Sequence, residues 1–189
     1  MNLANKLTIS RVVMIPLLVA IYLMEFIPYN HFLAGLIFTI AILTDFIDGK
    51  VARNRNQVTN LGKVLDPVAD KLIVFSAIFL FIIDGTLNIY LGLGIVFILI
   101  TRDYLVTGLR QISASEGQVI PAGNLGKAKT MIQSISIIIF FIYAGLNSIN
   151  ASGQLPVELF AYLTLAIAVF LTIWSGVIYM YNGKKLLKK

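Results

Sequence analysis

The 189-residue sequence contains no cysteine. Disulfides, thiolate metal sites and cysteine nucleophiles are excluded, and the redox compartment leaves no mark on the chain. Charge is almost as scarce. Asp, Glu, Lys and Arg make up 13% of the residues, about half of the roughly 25% usual in soluble domains. Histidine and tryptophan occur once each, as His31 and Trp174. With 58% hydrophobic residues and a mean hydropathy of +0.88, too few polar side chains remain to cover a soluble protein of this length. The same composition excludes disorder, which requires low hydrophobicity. The length suggests one domain, 1–189.

What the chain has instead is apolar runs. A membrane-crossing helix needs about 20 mainly apolar residues. Six such stretches are expected, at 8–26, 31–50, 64–83, 89–109, 128–147 and 157–180. The fold class that follows is all-α: a polytopic membrane protein with six transmembrane helices. The bundle spans 8–183, with a short interfacial segment (1–7) before it and a basic tail (184–189) after it. The connections carry turn signals, such as Asp84-Gly85-Thr86 and Asn150-Ala151-Ser152-Gly153. The first stretch follows Lys6 and Arg11, as a leader peptide would. Met24-Glu25-Phe26-Ile27-Pro28 nevertheless offers no small-residue cleavage site, so the stretch is expected to be retained.

The basic residues orient the bundle. Lys6 and Arg11 open the first stretch, and Lys50, Arg53, Arg55, Lys63 and Lys71 surround the second connection. Arg102, Arg110, Lys127 and Lys129 flank the fourth, and Lys184, Lys185, Lys188 and Lys189 close the chain. Together these are all 15 Lys and Arg residues, so the other three connections hold none. The positive-inside rule places both termini in the cytoplasm, as an even number of spans requires. The net charge of +6 is then an orientation signal, and no nucleic-acid partner is expected. The tail is expected to anchor at an anionic lipid surface.

Against this background the acidic residues stand out. Carboxylates in a membrane helix are costly and usually mark function. Asp45 and Asp48 are three apart and Asp66 and Asp70 four apart, so each pair shares a helix face. The two helices are joined by a short connection, and all four carboxylates can converge near the cytoplasmic surface. Such a cluster must either raise its pKa values or bind a cation. With no Cys or His nearby, oxygen ligands favour Mg²⁺, Mn²⁺ or Ca²⁺. Gly49, Ala52 and Gly62 leave room for a bulky group beside the carboxylates, and Arg53 supplies a planar fork suited to phosphate. Taken singly, any one of these Asp residues has an ordinary reading as a helix cap or ion-pair partner; four at matched spacing do not.

Asp45-x2-Asp48-Gly49-x2-Ala52-Arg53-x8-Gly62-x3-Asp66-x3-Asp70 resembles the signature of the CDP-alcohol phosphatidyltransferase family at every defined position. Eight fixed residues over 26 positions make the match specific. The resemblance implies a six-helix membrane enzyme, commonly a homodimer, in which an alcohol attacks CDP-diacylglycerol and releases CMP. It implies two divalent metal ions, Mg²⁺ or Mn²⁺, on Asp45, Asp48, Asp66 and Asp70, with Asp70 also the general base. It implies a CDP-lipid site formed by Thr8, Asp48, Gly49, Ala52, Arg53, Gly62 and Asp66. Thr8 and Arg11 resemble the family's amino-terminal segment, although Ala4 stands where its members usually have proline.

A second basic cluster bears on the acceptor. Four cations at one cytoplasmic vestibule suit an anionic alcohol, although positive-inside anchoring alone is the plainer reading. The words Thr101-Arg102-Asp103, Leu109-Arg110 and Leu125-Gly126-Lys127-Ala128-Lys129-Thr130, with Gln133, resemble the branch of the family whose acceptor is sn-glycerol 3-phosphate. By that resemblance Arg110, Lys127 and Lys129 take the acceptor phosphate, with Arg102 a weaker candidate. The products would be phosphatidylglycerophosphate and CMP, made in the cytoplasmic leaflet of a bacterial-type cell membrane. Asp103 is read as orienting a basic neighbour. His31 is read as an interface residue on the opposite side, Trp174 as packing, and Tyr179 and Tyr181 as part of the aromatic belt. Rival readings are another acceptor (inositol phosphate or phosphatidylglycerol), an ion-coupled transporter, and an inactive membrane scaffold. A transporter predicts midplane acidic groups and broken helices, whereas these carboxylates lie toward one face.

Overall fold

A continuous apolar sequence offers the backbone no hydrogen-bond partners except its own, and helices satisfy them locally. A computed structural model describes residues 3–55, 60–115, 124–151 and 154–186, with side chains described for 9–44, 68–114, 125–151, 154–181 and 183. Six helices follow one another: α1 (Leu3–Leu23), α2 (Asn30–Arg55), α3 (Asn60–Ile83), α4 (Ile89–Ser115), α5 (Asn124–Ser148) and α6 (Gln154–Leu186). No strand occurs among the described residues. Among the described residues, three stretches are long and apolar enough to cross a membrane: Ile89–Ala114, Leu125–Ser148 and Gln154–Tyr181. Ile9–Leu23 and Asn30–Thr44 are the apolar parts of α1 and α2 among the residues with described side chains.

Several helices outrun the apolar stretches at their basic ends. α1 starts at Leu3, so the segment expected to be separate is continuous with the first helix. α2 runs to Arg55, α4 to Ser115 and α6 to Leu186. Hydropathy stops where polar side chains begin, whereas the helical backbone continues as long as its hydrogen bonds do. The turns at the other end stop the helices by local chemistry. Asn88 caps α4, its side-chain oxygen accepting from the backbone N–H groups of Tyr90 and Leu91 at 3.0 and 3.4 Å. Asn150, at φ 48°, closes α5, with Ala151 N–H donating to the Leu146 carbonyl and Asn150 N–H to that of Asn147. Gly85 follows α3 at φ 79°, a conformation that suits glycine.

α5 packs along α6 and α2, α1 along α2 and α3, and α4 along α6. α3 touches α2, α4 and α5. The core is an aromatic column against small residues. Phe141 meets Phe81 at 4.8 Å, Phe38 at 5.6 Å and Tyr22 at 5.9 Å between ring centroids. Ala34, Ala41 and Ala77 line it, fully buried. Gly35 lies where a Cβ would come within 2.8 Å of the Phe141 Cβ, which is how α2 and α5 approach so closely. The outer surface is apolar as well: Phe97, Leu159 and Phe170 are 72%, 73% and 63% exposed. Trp174, read as packing, lies half exposed on that surface, stacked on Phe170.

The end of the bundle that holds residues 22, 30, 84 and 162 is closed by polar bonds. The Tyr22 hydroxyl donates to Asp84, and Thr86 N–H donates to the other Asp84 oxygen at 2.9 Å. His31 Nε2 lies 3.6 Å from Asp84, with its ring edge-on to Tyr22 at 4.6 Å. The Asn30 amide donates to the Tyr22 carbonyl, and the Tyr162 hydroxyl to that of Thr86. His31, expected as an interface residue, is thus a member of a clasp between α1, α2 and the turn after α3.

Burial alone would raise the Asp84 carboxyl, but the bonds from His31, Tyr22 and Thr86 together hold it below the ordinary value of 3.8. The folded state therefore binds this proton less readily than the unfolded chain. The stabilisation is complete above the unfolded value and is lost as pH falls through the folded one. Asp84→Ala is expected to lower stability by about 1–2 kcal/mol at neutral pH. In thermal unfolding of the purified protein, the gap between wild type and variant should close below about pH 4.

Candidate active site

The other end of the bundle gathers the charges. Asp45, Asp48, Gly49, Ala52 and Arg53 fall on the last turns of α2, and Gly62, Asp66 and Asp70 on the first half of α3. The backbone is helical across both sets, so the i, i+3 and i, i+4 spacings each share a face. Of these residues only Asp70 has a described side chain. The side chains of Asp45, Asp48, Gly49, Ala52, Arg53, Gly62 and Asp66, and that of Thr8 on α1, lie outside the described residues. Among the described residues no three His, Cys, Asp or Glu side chains form a metal-binding group.

Asp70 is half-buried, beside the fully buried Ala69 and one turn from Ile73. Next to it, the Lys71 ammonium lies 5.1 Å from the centroid of the Tyr104 ring on α4. α3 meets both α4 and α5, the helices that carry the basic cluster.

The structure divides the basic cluster into two tiers. Arg102, Asp103 and Lys129 form the inner tier, with side chains 14%, 18% and 5% exposed. Asp103 Oδ1 accepts from Arg102 Nη1 at 3.1 Å and from Lys129 Nζ at 3.1 Å. Arg102 Nη2 donates to Ser175 Oγ at 3.0 Å, and that hydroxyl donates in turn to the Thr172 carbonyl. Arg110 and Lys127 form the outer, exposed tier. Arg110 donates to the Tyr179 hydroxyl at 2.7 Å, its guanidinium 5.2 Å from the ring centroid.

All four candidate cations thus stand at one end, and Arg102 and Lys129 are equal partners of one carboxylate. Asp103, read as orienting a basic neighbour, accepts from two of them at once. Tyr179 departs from its expectation: it is 7% exposed, turned in between Arg102 and Arg110 rather than lying in an outer belt. Tyr181 is exposed. Ser175 and Tyr179 were not legible as site residues. The available signal was the polar, small-residue face Thr172, Ser175, Gly176, Tyr179 and Gly183 inside an apolar helix. That face lets α4 approach: a Cβ on Gly176 would sit 3.0 Å from Arg102 Cγ, and one on Gly183 3.4 Å from Leu109.

The electrostatic sense of the cluster is clear. Lys127 and Lys129 occupy the first turns of α5, whose first turn holds no acidic residue. A helix amino terminus already favours anions. Cations there oppose the helix dipole and add to its attraction for a negative ligand.

Comparisons with known proteins bear on what that ligand is. The family model for CDP-alcohol phosphatidyltransferase matches residues 1–174. A Bacillus subtilis (strain 168) protein named CDP-diacylglycerol–glycerol-3-phosphate 3-phosphatidyltransferase is 37% identical over 202 aligned positions, covering 99% of this chain and 97% of that protein. A Rickettsia bellii protein of the same name is 34% identical, covering 97% and 96%. A Mycobacterium tuberculosis protein named probable phosphatidylglycerophosphate synthase is 36% identical, covering 95% and 80%.

The tight approach at Gly176 can be tested by itself. Arg102 is pinned by Asp103 and Ser175, so its stem has little freedom to give way. Gly176→Val is expected to lower stability by about 1–3 kcal/mol. Gly108→Ala on α4, with nothing within 4 Å of its added Cβ, should be neutral or stabilising by up to about 1 kcal/mol. Thermal unfolding of both purified variants gives the comparison.

Proposed function

The chain belongs to the CDP-alcohol phosphatidyltransferase family, and from that premise we propose that it transfers the phosphatidyl group of CDP-diacylglycerol to sn-glycerol 3-phosphate. The products are phosphatidylglycerophosphate and CMP, so the protein serves phospholipid biosynthesis as an integral membrane transferase. The observation that carries the acceptor is the two-tier cation cluster on α4 and α5, built around the Asp103 carboxylate. An uncharged alcohol would have no use for it.

In this reading the six helices are six membrane spans with both ends in the cytoplasm, and the active site opens on the cytoplasmic side of a bacterial cell membrane. Two copies form a homodimer. Thr8, Asp48, Gly49, Ala52, Arg53, Gly62 and Asp66 hold the CDP-lipid. Arg110, Lys127, Lys129 and Arg102 hold the acceptor phosphate.

The donor set suits hard divalent cations. The chain has no cysteine, and its one histidine lies in the clasp at the opposite end. Asp45, Asp48, Asp66 and Asp70 would hold two ions, Mg²⁺ or Mn²⁺. Such ions, when bound, screen the pyrophosphate and stabilise the leaving CMP.

The protein's own residues do the rest. The basic cluster fixes the acceptor by its phosphate and turns its hydroxyl toward Asp70. Asp70 takes the hydroxyl proton as the oxygen attacks the phosphorus that bears the diacylglycerol. The new O–P bond forms, the P–O bond to CMP breaks, and CMP leaves with that bonding pair. Arg53 balances phosphate charge on the donor side.

Purified protein incubated with CDP-diacylglycerol should release CMP with glycerol 3-phosphate and not with inositol phosphate, phosphatidylglycerol or serine. Turnover with another alcohol and none with glycerol 3-phosphate would reject the acceptor. Asp70→Asn is expected to lower kcat by about 10²–10⁴-fold. Arg110→Ala should raise the acceptor KM by about ten- to hundredfold with a smaller effect on kcat. An unchanged acceptor KM in that variant would remove Arg110 from the phosphate site.

A further inference from the structure

The inner tier of the cluster poses a charge problem. Two cations, Arg102 and Lys129, converge on a single oxygen of Asp103 at 3.1 Å each, and Lys129 is buried. Each cation repels the other, and burial disfavours the charged form of the ammonium. The shared carboxylate acts against both effects. Asp103 is itself held through Arg102, which is bonded to Ser175 on α6. The anion therefore sits on a rigid frame made by α4 and α6, while the cation it holds belongs to α5.

We propose that Asp103 is the positioning residue of the acceptor site: it fixes the Lys129 ammonium where, with Arg110 and Lys127, it meets the acceptor phosphate. An ammonium has three donor hydrogens, and the bond to Asp103 uses one and sets the direction of the other two. The proposal rests on the reading that this cluster binds the acceptor phosphate.

The sign of one substitution separates this role from a passive one. If Asp103 were only a negative charge near the phosphate, neutralising it would tighten anion binding. If it positions Lys129, neutralising it releases a buried ammonium and lets the two cations separate, and anion binding weakens.

The experiment uses the full chain in phosphatidylcholine nanodiscs, with two readouts. One is CMP release at saturating CDP-diacylglycerol, giving kcat and the acceptor KM. The other is calorimetric titration with inorganic phosphate, which needs no turnover. Asp103→Asn is expected to raise both the acceptor KM and the phosphate Kd about tenfold, with kcat and the CDP-diacylglycerol KM changed less than about threefold. Asp103→Glu, which keeps the charge, should recover part of the loss. In a Lys129→Met background the Asn substitution should add less than about twofold, because the two residues act through one contact.

Tighter or unchanged phosphate binding in Asp103→Asn overturns the proposal, as do fully additive losses in the double variant. If Asp103→Asn does not fold, Asp103→Glu decides: its displaced carboxylate should raise the acceptor KM several-fold at constant kcat, and no change overturns the role. Should the wild type bind phosphate yet release no CMP with glycerol 3-phosphate, the acceptor reading fails and the titration alone judges Asp103. A wild type that binds no phosphate overturns the positioning role itself.

Discussion

A buried ammonium requires a carboxylate beside it, and much of the basic end of this protein follows from meeting that requirement at Lys129. The partner, Asp103, lies on α4, and Asp103 also accepts from Arg102, which reaches across to Ser175 on α6. One carboxylate thereby ties α4, α5 and α6 together where membrane helices have no hydrophobic force between them. The packing follows suit. Gly176 and Gly183 on α6 lie against Arg102 and Leu109 on α4, so small residues occur where the ion cluster needs two helices close. Removing either side of such a buried pair leaves the other uncompensated, which is why pairs of this kind hold a geometry firmly even when their net contribution to stability is small.

The opposite end satisfies a carboxylate of its own. Asp84 is satisfied by the Tyr22 hydroxyl, the Thr86 N–H and His31, and the clasp joins α1 and α2 to the turn after α3. Between the two polar ends lies the aromatic column around Phe141, packed against Gly35 and flanked by Ala34, Ala41 and Ala77. The bundle is locked at both ends and close-packed in the middle. The end that carries Asp70 also carries the cations, as the proposed transfer to a phosphate-bearing alcohol requires.

Much of this was legible in the sequence because the chain has so little charge. Each of Asp45, Asp48, Asp66 and Asp70 stands out in an apolar background, and their three- and four-residue spacings are meaningful only on helices, which is what α2 and α3 are. Other features were not legible for definite reasons. Tyr179 looks like any tyrosine near a helix end, and only the approach of α4 to α6 turns it toward Arg110. Asp103 follows Arg102 directly, so a pairing with that neighbour could be guessed. Its equal bond to Lys129, 26 residues away, could not. His31 and Asp84 are 53 positions apart and meet through the packing of α2 against the turn after α3.

The sequence by itself determined the class of molecule: an all-helical, lipid-facing chain whose carboxylate signature identifies a family. These are local properties, carried by hydropathy over one helix and by spacing over one or two turns. The tertiary structure alone decided which cations share an anion, which tyrosine serves the site and which glycines allow the approach. Those depend on distances between helices remote in sequence, and no periodicity within a single helix encodes them.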